Sequence, residues 1–322
     1  MKKLATKLIK WYQKKISPTK SHKCRHKPTC SNYALEAYER HNFLYASYLS
    51  TKRILSCNPL FKPKYDPVPK RKIQRRLVKT HKIYSKILKE EKLIDIYLPK
   101  GRKKYYPVIY MTDGDKLFSK DNDSWNLMEI VTKLIKEKEI PPIIIVGIHE
   151  NQNRLSEYSP IDNSFILNGE ANFYGDKYIK FITDELKPFI DYNFNTLSDL
   201  NNTFIAGSSM GGLISLYAGI NNPDTFKGIG VLSPSIWWNR DGFLNTFKKD
   251  YNLSNQRYFV TCGTLETPDK INNELFVKDS IKINELLNKN KAETFHQVYD
   301  GMKHEPYFWS SLFKDLILFL TK

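Results

Sequence analysis

Ser209 stands in the stretch AGSSMGG (206–212), which contains the pattern Gly-x-Ser-x-Gly. An apolar, strand-like segment ends just before the pattern, and a helix-like segment follows it. Small residues on both sides of a serine allow a tight strand-to-helix turn, which lifts the hydroxyl above the sheet beside the first N–H groups of a helix. We therefore predict that Ser209 is an enzyme nucleophile rather than one more serine in a glycine-rich turn.

A serine hydroxyl needs a base to take its proton, and the chain has seven histidines. His304 follows the last strand-like segment and precedes the last helical one, in YDGMKHEPYFW. Enzymes with a serine on this type of turn carry serine, acid and histidine in that chain order, with the histidine after the final strand. His304 is therefore the predicted base.

The acid of such a triad should lie just beyond a strand, between the serine and the histidine in the chain. The segment FVTCGTLETPD offers Glu266 and Asp269, either of which could fix the imidazole tautomer. Glu266 is closer to the strand end and is our first choice, with Asp269 as the alternative. Asp300 is too close to His304 in the chain to be preferred.

The oxyanion of the transition state needs two backbone N–H donors. We expect one from Met210, directly after the serine, and one from the Asp113–Asp115 loop that follows an earlier strand, with Gly114 as the candidate. We find no phosphate-binding loop and no metal-ligand spacing in this part of the chain, so the predicted chemistry needs no cofactor and no metal.

The elements that must position these residues alternate between strand-like and helix-like patterns over some 240 residues. Several strand-like segments are unbroken apolar runs, which is typical of strands buried on both faces. This alternation predicts a largely parallel α/β sheet. The predicted strands cover 94–99, 105–114, 141–148, 201–207, 228–233, 257–263 and 294–301.

The charge of the chain is concentrated at its beginning. Residues 1–79 hold 21 of the 51 basic residues but only 3 of the 34 acidic ones, and the remainder is nearly neutral. Such asymmetry indicates two functional pieces, and a basic piece favours a membrane surface or nucleic acid as partner. We find no secretory signal and no apolar window long enough to span a bilayer, so we expect a cytoplasmic protein with reduced thiols.

The first segment, MKKLATKLIKWYQKKI, repeats apolar residues at helical spacing, with lysines on another face. This pattern is typical of a helix that lies in a membrane interface, but also of an ordinary helix packed on its own domain. Prolines then interrupt the chain around residues 59–69, before a basic run that joins the two pieces.

From about residue 80 the chain resembles the esterase family of α/β hydrolases that includes enterochelin esterases, S-formylglutathione hydrolase and feruloyl esterases. The stretches YPVIYMTDGDKLF, FIAGSSMGGLISLYAGINNPDTFKGIGVLSPSIWWN, CGTLE and GMKHEPYFW carry the resemblance. It implies an α/β-hydrolase fold with a largely parallel sheet over 80–322, and it places the catalytic residues at Ser209, Glu266 and His304. Arg154 and Trp238 lie in family-like segments that either line the substrate cleft or pack in the core.

Residues 1–69 resemble the YidD family of membrane protein insertion efficiency factors, through ISP, PTCSNYA, KRILSCNP and YDPVP. The resemblance implies a small basic α-helical domain at the inner face of the cytoplasmic membrane, with an anionic membrane surface and the insertion machinery as partners. It strengthens the interfacial interpretation of the first helix. The predicted organisation is thus this domain, a basic linker over 70–79, and the hydrolase domain.

Two other functions of the basic domain, metal binding and nucleic-acid binding, have less support from the sequence. Cys24 and Cys30 are separated by five residues, which is not a usual structural zinc spacing, and Cys57 is distant, so no metal is predicted. Because these cysteines belong to the YidD pattern, the resemblance leaves a structural or redox role open. Nucleic-acid binding is disfavoured, because charge is present without a recognition motif.

The sequence therefore predicts a serine hydrolase of carboxylic esters or thioesters that acts through an acyl-enzyme and is held at a membrane surface. Two alternatives stay open. The same triad supports acyl transfer, and the main role could be assistance to membrane insertion, with a specialised or silent hydrolase domain.

Overall fold

The chain folds into two compact units, Met1–Arg76 and Leu77–Lys322, in a computed structural model. The structure describes residues 2–19, 24, 26–41, 43–58, 66–68, 77–99, 105–121, 123–161, 173–247 and 251–322. Of the predicted linker, residues 70–76 lie outside this described part. The structure does describe residues 77–79 of the predicted linker, and of these Val78 and Lys79 belong to the first strand of the second unit.

The first unit is helical. Its helices are α1 (Lys2–Lys15), α2 (Cys30–Arg40) and α3 (Phe43–Leu55). Apolar side chains of α2 and α3, with Val68, form its core. Ala5 and Ile9 of α1 pack against this core, so one side of α1 is an ordinary packing face.

The other side of α1 faces outward. Leu4, Leu8 and Trp11 are 63%, 57% and 56% exposed. They follow one another at intervals of four and three residues, so they form one stripe along the helix. Among the described helices, none combines the length and the apolar run needed to cross a bilayer.

The second unit is built on one eight-stranded sheet in the order β1-β2-β4-β3-β5-β6-β7-β8. The first two strands run antiparallel to their neighbours, and all later pairs are parallel. The strands are β1 (Val78–Ser85), β2 (Glu90–Tyr97), β3 (Val108–Met111), β4 (Ile144–Ile148), β5 (Thr203–Ser208), β6 (Gly228–Leu232), β7 (Arg257–Leu265) and β8 (Glu293–Lys303).

Helices lie between these strands and after the last one. They are α4 (Leu127–Lys136), α5 (Arg154–Glu157), α6 (Gly175–Lys180), which continues as a π-helical turn (Phe181–Leu186) into α7 (Lys187–Asn193), α8 (Met210–Asn221), α9 (Arg240–Thr246), α10 (Lys270–Lys289), α11 (Pro306–Ser311) and α12 (Phe313–Leu320).

The central strands are buried on both faces, as their apolar runs predict. In β3, Val108 and Tyr110 join one large apolar cluster, whereas Ile109 and Met111 join a second. Because successive strand residues point to opposite faces, the sheet divides the core into two layers. The predicted α/β fold with a largely parallel sheet is confirmed.

The sequence did not predict β1. Its residues, VKTHKIYS, are mostly polar, and the strand lies at the sheet edge, where only Ser85 is fully buried. An edge strand needs no apolar run, so the pattern that revealed the central strands was missing. His81 lies within this strand.

Candidate active site

Ser209 occupies a sharp turn between β5 and α8. Its backbone has φ 59° and ψ −127°, a conformation that L residues rarely adopt. The flanking glycines are required by space, because a Cβ at Gly207 or Gly211 would lie 2.3 or 2.1 Å from Oγ1 of Thr112. The Gly-x-Ser-x-Gly pattern thus marks a strained strand-to-helix elbow, as predicted.

Hydrogen bonds from the β6 side hold this elbow. The Ser209 N–H donates to the carbonyl of Leu232 at 3.0 Å, and the Ser235 N–H donates to the carbonyl of Ser209 at 3.1 Å. The hydroxyl oxygens of Ser209 and Ser235 lie 3.3 Å apart. The nucleophile candidate is therefore fixed at the carboxyl end of the parallel strands, where open α/β sheets bind their ligands.

Glu266 and His304 follow the neighbouring strands β7 and β8. Oε2 of Glu266 lies 2.6 Å from Nδ1 of His304. The Glu266 side chain is fully buried, whereas the His304 side chain is 25% exposed. Since a carboxylate only accepts, we assign the proton to Nδ1, which leaves Nε2 as the lone-pair nitrogen.

A second set of contacts holds the Glu266 carboxylate. Its Oε1 accepts from the Gly263 N–H at 2.5 Å and from the Ser233 hydroxyl at 2.6 Å. The same hydroxyl accepts from Nε1 of Trp309 at 3.0 Å. The Trp309 ring also packs edge-on against the His304 ring, with centroids 4.9 Å apart. Sequence reasoning missed Ser233 and Trp309, although they orient both partners of the pair.

The two alternatives for the acid have other roles. Asp269 is the N-cap of α10, and its Oδ1 accepts from the Asn272 N–H at 2.8 Å. Asp300 accepts from the Thr264 hydroxyl at 2.9 Å. Of the three carboxylates considered, the structure brings Glu266 to the histidine.

The Asp113–Asp115 loop is held by Arg154, which was expected to line the cleft or pack in the core. Nε and Nη2 of Arg154 contact the two carboxylate oxygens of Asp113 at 2.7 and 3.0 Å. Burial raises the pKa of Asp113, whereas the Arg154 guanidinium acts in the opposite direction. Arg154 thus neutralises a buried carboxylate and stacks over the Tyr158 ring, 5.1 Å from its centroid.

Gly114 is a glycine because β4 passes close by. A Cβ on Gly114 would lie 2.2 Å from the backbone carbon of Gly147. The preceding amide, of Asp113, donates to the Tyr158 hydroxyl at 3.1 Å and is therefore already used. Asp113 itself has φ 52°, so the chain turns sharply into Gly114.

Trp238 is packed into the core and only 5% exposed, whereas its neighbour Trp237 is 47% exposed. The two rings meet edge to face, 5.9 Å apart. Trp237, which the sequence reasoning did not single out, is thus the more accessible of the pair.

A cavity of about 1110 Å³ lies beside the acid–histidine pair. Glu266 and His304 line it, together with Leu265 and residues of the first turns of α10 such as Asn273 and Val277. Ser209 is not among its lining residues. The cavity therefore extends from the histidine side of the site.

Two other histidines of this unit have partners elsewhere. Nε2 of His149 lies 3.0 Å from Oδ2 of Asp95. Nε2 of His296 lies 2.8 Å from the Ser280 hydroxyl, and burial lowers the pKa of His296. Neither contact involves the elbow.

The fold and this arrangement define an α/β hydrolase preceded by a small helical unit. The family described as "Putative esterase" matches residues 85–319, and the family described as "Putative membrane protein insertion efficiency factor" (YidD) matches residues 1–69. The chain belongs to both families, as a fusion of the two.

Individual relatives agree with this division. A protein of Chlorobaculum tepidum named "Putative membrane protein insertion efficiency factor" is 52% identical over 67 residues, which are 21% of this chain and 81% of that protein. The crystal structure of the BES protein from Bacillus cereus is similar with a TM-score of 0.62 and 24% identity, over 80% of this chain and 99% of that one. The enterochelin esterase from Shigella flexneri has a TM-score of 0.63 and 21% identity. That match covers 76% of this chain and 58% of the Shigella chain. At these identities the structural matches show the fold.

Proposed function

We propose that the second unit is a serine hydrolase of carboxylic esters or thioesters, with Ser209 as nucleophile, His304 as base and Glu266 as the acid. The observation that carries this proposal is the 2.6 Å contact between Glu266 and His304. This pair and the strained Ser209 elbow all follow the carboxyl ends of parallel strands. Membership of the esterase family supports it.

In the first half of the reaction, the Ser209 oxygen attacks the carbonyl carbon while Nε2 of His304 takes the hydroxyl proton. The imidazolium is stabilised by Glu266. The oxyanion accepts from the N–H of Met210, the first residue of α8, and from that of Gly114. The intermediate then collapses, and His304 gives its proton to the leaving alcohol or thiol, which leaves an acyl-enzyme.

In the second half, His304 takes a proton from water, and the hydroxide attacks the acyl carbonyl. Collapse returns the proton to Ser209 and releases the carboxylic acid. An alcohol in place of water would make the enzyme an acyltransferase. Product analysis with an added alcohol acceptor distinguishes the two reactions, since transfer yields a new ester.

The substrate must place its carbonyl over Ser209. The exposed ring of Trp237 offers an aromatic surface, and the cavity beside His304 offers room for one side of the ester. The Shigella neighbour is an enterobactin esterase, so aromatic siderophore esters belong in the first substrate screen beside simple alkyl esters.

The test is hydrolysis of p-nitrophenyl acetate and butyrate by the full chain and by its Ser209→Ala variant. We expect kcat to fall by at least about 10³-fold, because Ser209 is the covalent nucleophile. Ser254→Ala, at an exposed serine, is the matched control and should keep full activity. Unchanged turnover in Ser209→Ala would contradict the proposal.

We propose a second function for the first unit, which is binding to the anionic inner surface of the cytoplasmic membrane. The exposed stripe of Leu4, Leu8 and Trp11 carries this proposal, together with the exposed lysines Lys7 and Lys10 on the same helix. Apolar side chains enter the acyl boundary while basic ones contact anionic headgroups. By its family, this unit would assist membrane protein insertion there.

Co-sedimentation of the full chain with RNA-free vesicles tests this second function. We expect binding to vesicles that contain phosphatidylglycerol and little binding to pure phosphatidylcholine, because basic residues add to apolar insertion only on an anionic surface. RNA binding that falls steeply with salt, without vesicle binding, would instead favour a nucleic-acid module.

A further inference from the structure

The first unit brings together three cysteines that lie far apart in the sequence. The Sγ atoms of Cys24, Cys30 and Cys57 all lie within 4.8 Å of one another. Cys57 follows α3, and the α2–α3 hairpin returns the chain so that it meets the segment before α2. The spacing along the chain, on which the sequence-based expectation of no metal rested, does not reveal this grouping.

We propose that Cys24, Cys30 and Cys57 bind one Zn²⁺ ion through their three thiolates. A tetrahedral zinc with Zn–S bonds of about 2.3 Å places its sulfurs about 3.8 Å apart. The three sulfurs therefore need to approach by no more than about 1 Å to meet that geometry. Soft thiolate ligands favour zinc over the hard cations Mg²⁺ and Ca²⁺.

The surrounding backbone supports a thiolate cluster. Cys30 is the first residue of α2, and its N–H donates to Sγ of Cys24 at 3.1 Å. An N–H donor and a helix N-terminus both favour a negatively charged sulfur.

Hydrogen bonds outside the cluster connect the segment that carries Cys24 and Cys30 to the one that carries Cys57. Nε2 of His26 lies 3.0 Å from the carbonyl of Ser56, next to Cys57. Nη2 of Arg53 donates to the carbonyl of Pro28 at 2.8 Å. These contacts join the segment between Cys24 and Cys30 to the end of α3, so the ligands are positioned by their surroundings.

The unit also has a physical reason to need such a site. Its described core consists of six buried apolar residues, two of which are alanines. A domain of this size rarely gains enough from its core alone, and small domains often add a metal or disulfides. A zinc ion would join the segment before α2, the start of α2 and the end of α3.

Binding is a ligand exchange without electron transfer. Each thiol releases its proton to solvent, and Zn²⁺ exchanges water for three thiolates. In the part of the chain that the structure describes, no fourth His, Cys, Asp or Glu joins this group, so water or another exogenous ligand takes the fourth position in this proposal. A disulfide between two of the cysteines is a different outcome, because it needs an oxidant and leaves the third sulfur unpaired.

The experiment measures metal content and thiol state of the full chain, purified under reducing conditions, stripped with a chelator, and exposed to Zn²⁺. We expect about one zinc per chain. Cys24→Ser, Cys30→Ser and Cys57→Ser should each lose it, whereas Cys262→Ala, which alters the buried cysteine of the second unit, should retain it.

Two measurements on the unaltered chain guard against misfolded variants. Co²⁺ in place of Zn²⁺ should give a thiolate charge-transfer band and the strong visible bands of tetrahedral cobalt. Bound zinc should protect Cys24, which is exposed, from alkylation until the chelator is added. The proposal is overturned if the reduced chain takes up no zinc, if the serine variants bind it equally, or if the native protein carries a disulfide between these cysteines.

Discussion

The two units of this chain differ in the size of the apolar core that stabilises them. The second unit encloses two apolar layers around an eight-stranded sheet, and its central strands are buried completely. The first unit has one small core and leaves Leu4, Leu8 and Trp11 exposed. A large core offsets the free-energy cost of the strained Ser209 elbow and of the buried Arg154–Asp113 ion pair. For the small core of the first unit, we propose that the exposed stripe binds a membrane and that a bound metal adds stability.

Our proposals assign chemistry to the second unit and membrane binding to the first, and substitutions can test that separation. The largest effect is expected at Glu266. Glu266→Gln should lower kcat/KM for p-nitrophenyl butyrate by about 10³–10⁴-fold, because an amide no longer holds the Nδ1 proton or stabilises the imidazolium. Vesicle binding should not change.

Asp269→Asn is the matched control for Glu266→Gln. It alters the N-cap of α10, where asparagine is also a good cap, so activity and stability should stay close to those of the unaltered chain. A larger loss of activity in Asp269→Asn than in Glu266→Gln would contradict our assignment of Glu266 as the acid.

The next largest effect concerns the Arg154–Asp113 pair. Arg154→Met should destabilise the second unit by about 3–5 kcal/mol, because it leaves the carboxylate of Asp113 buried without its cation. Chemical denaturation measures this, and Arg154→Lys, which keeps a charge, should lose less.

The loss in Arg154→Met should depend on pH. Burial already raises the pKa of Asp113, and without Arg154 the folded-state pKa lies further above the unfolded value of about 3.9. A carboxyl with a raised folded-state pKa lowers stability above its unfolded pKa. The deficit should therefore be largest near neutral pH and shrink as the pH falls towards about 4. A deficit that grows on acidification would contradict this.

A smaller effect is expected from Ser233→Ala. The change removes the hydroxyl that bridges Glu266 and Trp309 and leaves Nε1 of Trp309 without that acceptor. We expect about 1–3 kcal/mol of lost stability. Since the carboxylate keeps the Gly263 amide, kcat should fall far less than in Glu266→Gln. Equal losses of kcat would mean that Ser233 does more than position the acid.

The smallest effect is expected in the first unit. Leu8→Ser should weaken binding to phosphatidylglycerol vesicles by roughly tenfold, since part of a leucine side chain no longer enters the membrane. Esterase activity and thermal stability should not change, because Leu8 is already exposed. Ile9→Ser, which alters the packed side of the same helix, should lower stability instead. The reverse pattern would show that the exposed stripe is not the membrane-binding face.

The sequence revealed those features of the candidate site that local pattern determines. The elbow could be predicted because it depends on neighbouring residues of the chain. Gly207 and Gly211 have no room for a Cβ, so the turn needs the glycines that form the sequence pattern. Chain order alone selected His304, and proximity to the end of β7 selected Glu266 over Asp269. The α/β fold followed from apolar runs in the central strands.

The remaining features depend on residues that are distant in the chain. Ser233 and Trp309 are 76 positions apart, and no local pattern in either segment predicts their hydrogen bond. Arg154 could be placed near the site, but its pairing with Asp113 depends on how two loops meet. In the first unit, Cys57 joins Cys24 only through the helical hairpin.

The central claim, that Ser209 forms the covalent intermediate, is tested most directly by labelling the full chain with a fluorophosphonate. The serine oxygen attacks phosphorus and fluoride leaves, which gives a stable phosphonyl-serine. Intact mass and peptide mapping should show one adduct, located on Ser209, with parallel loss of hydrolysis of p-nitrophenyl butyrate. An active protein that remains unlabelled, or an adduct at another residue with equal loss of activity, would contradict the account.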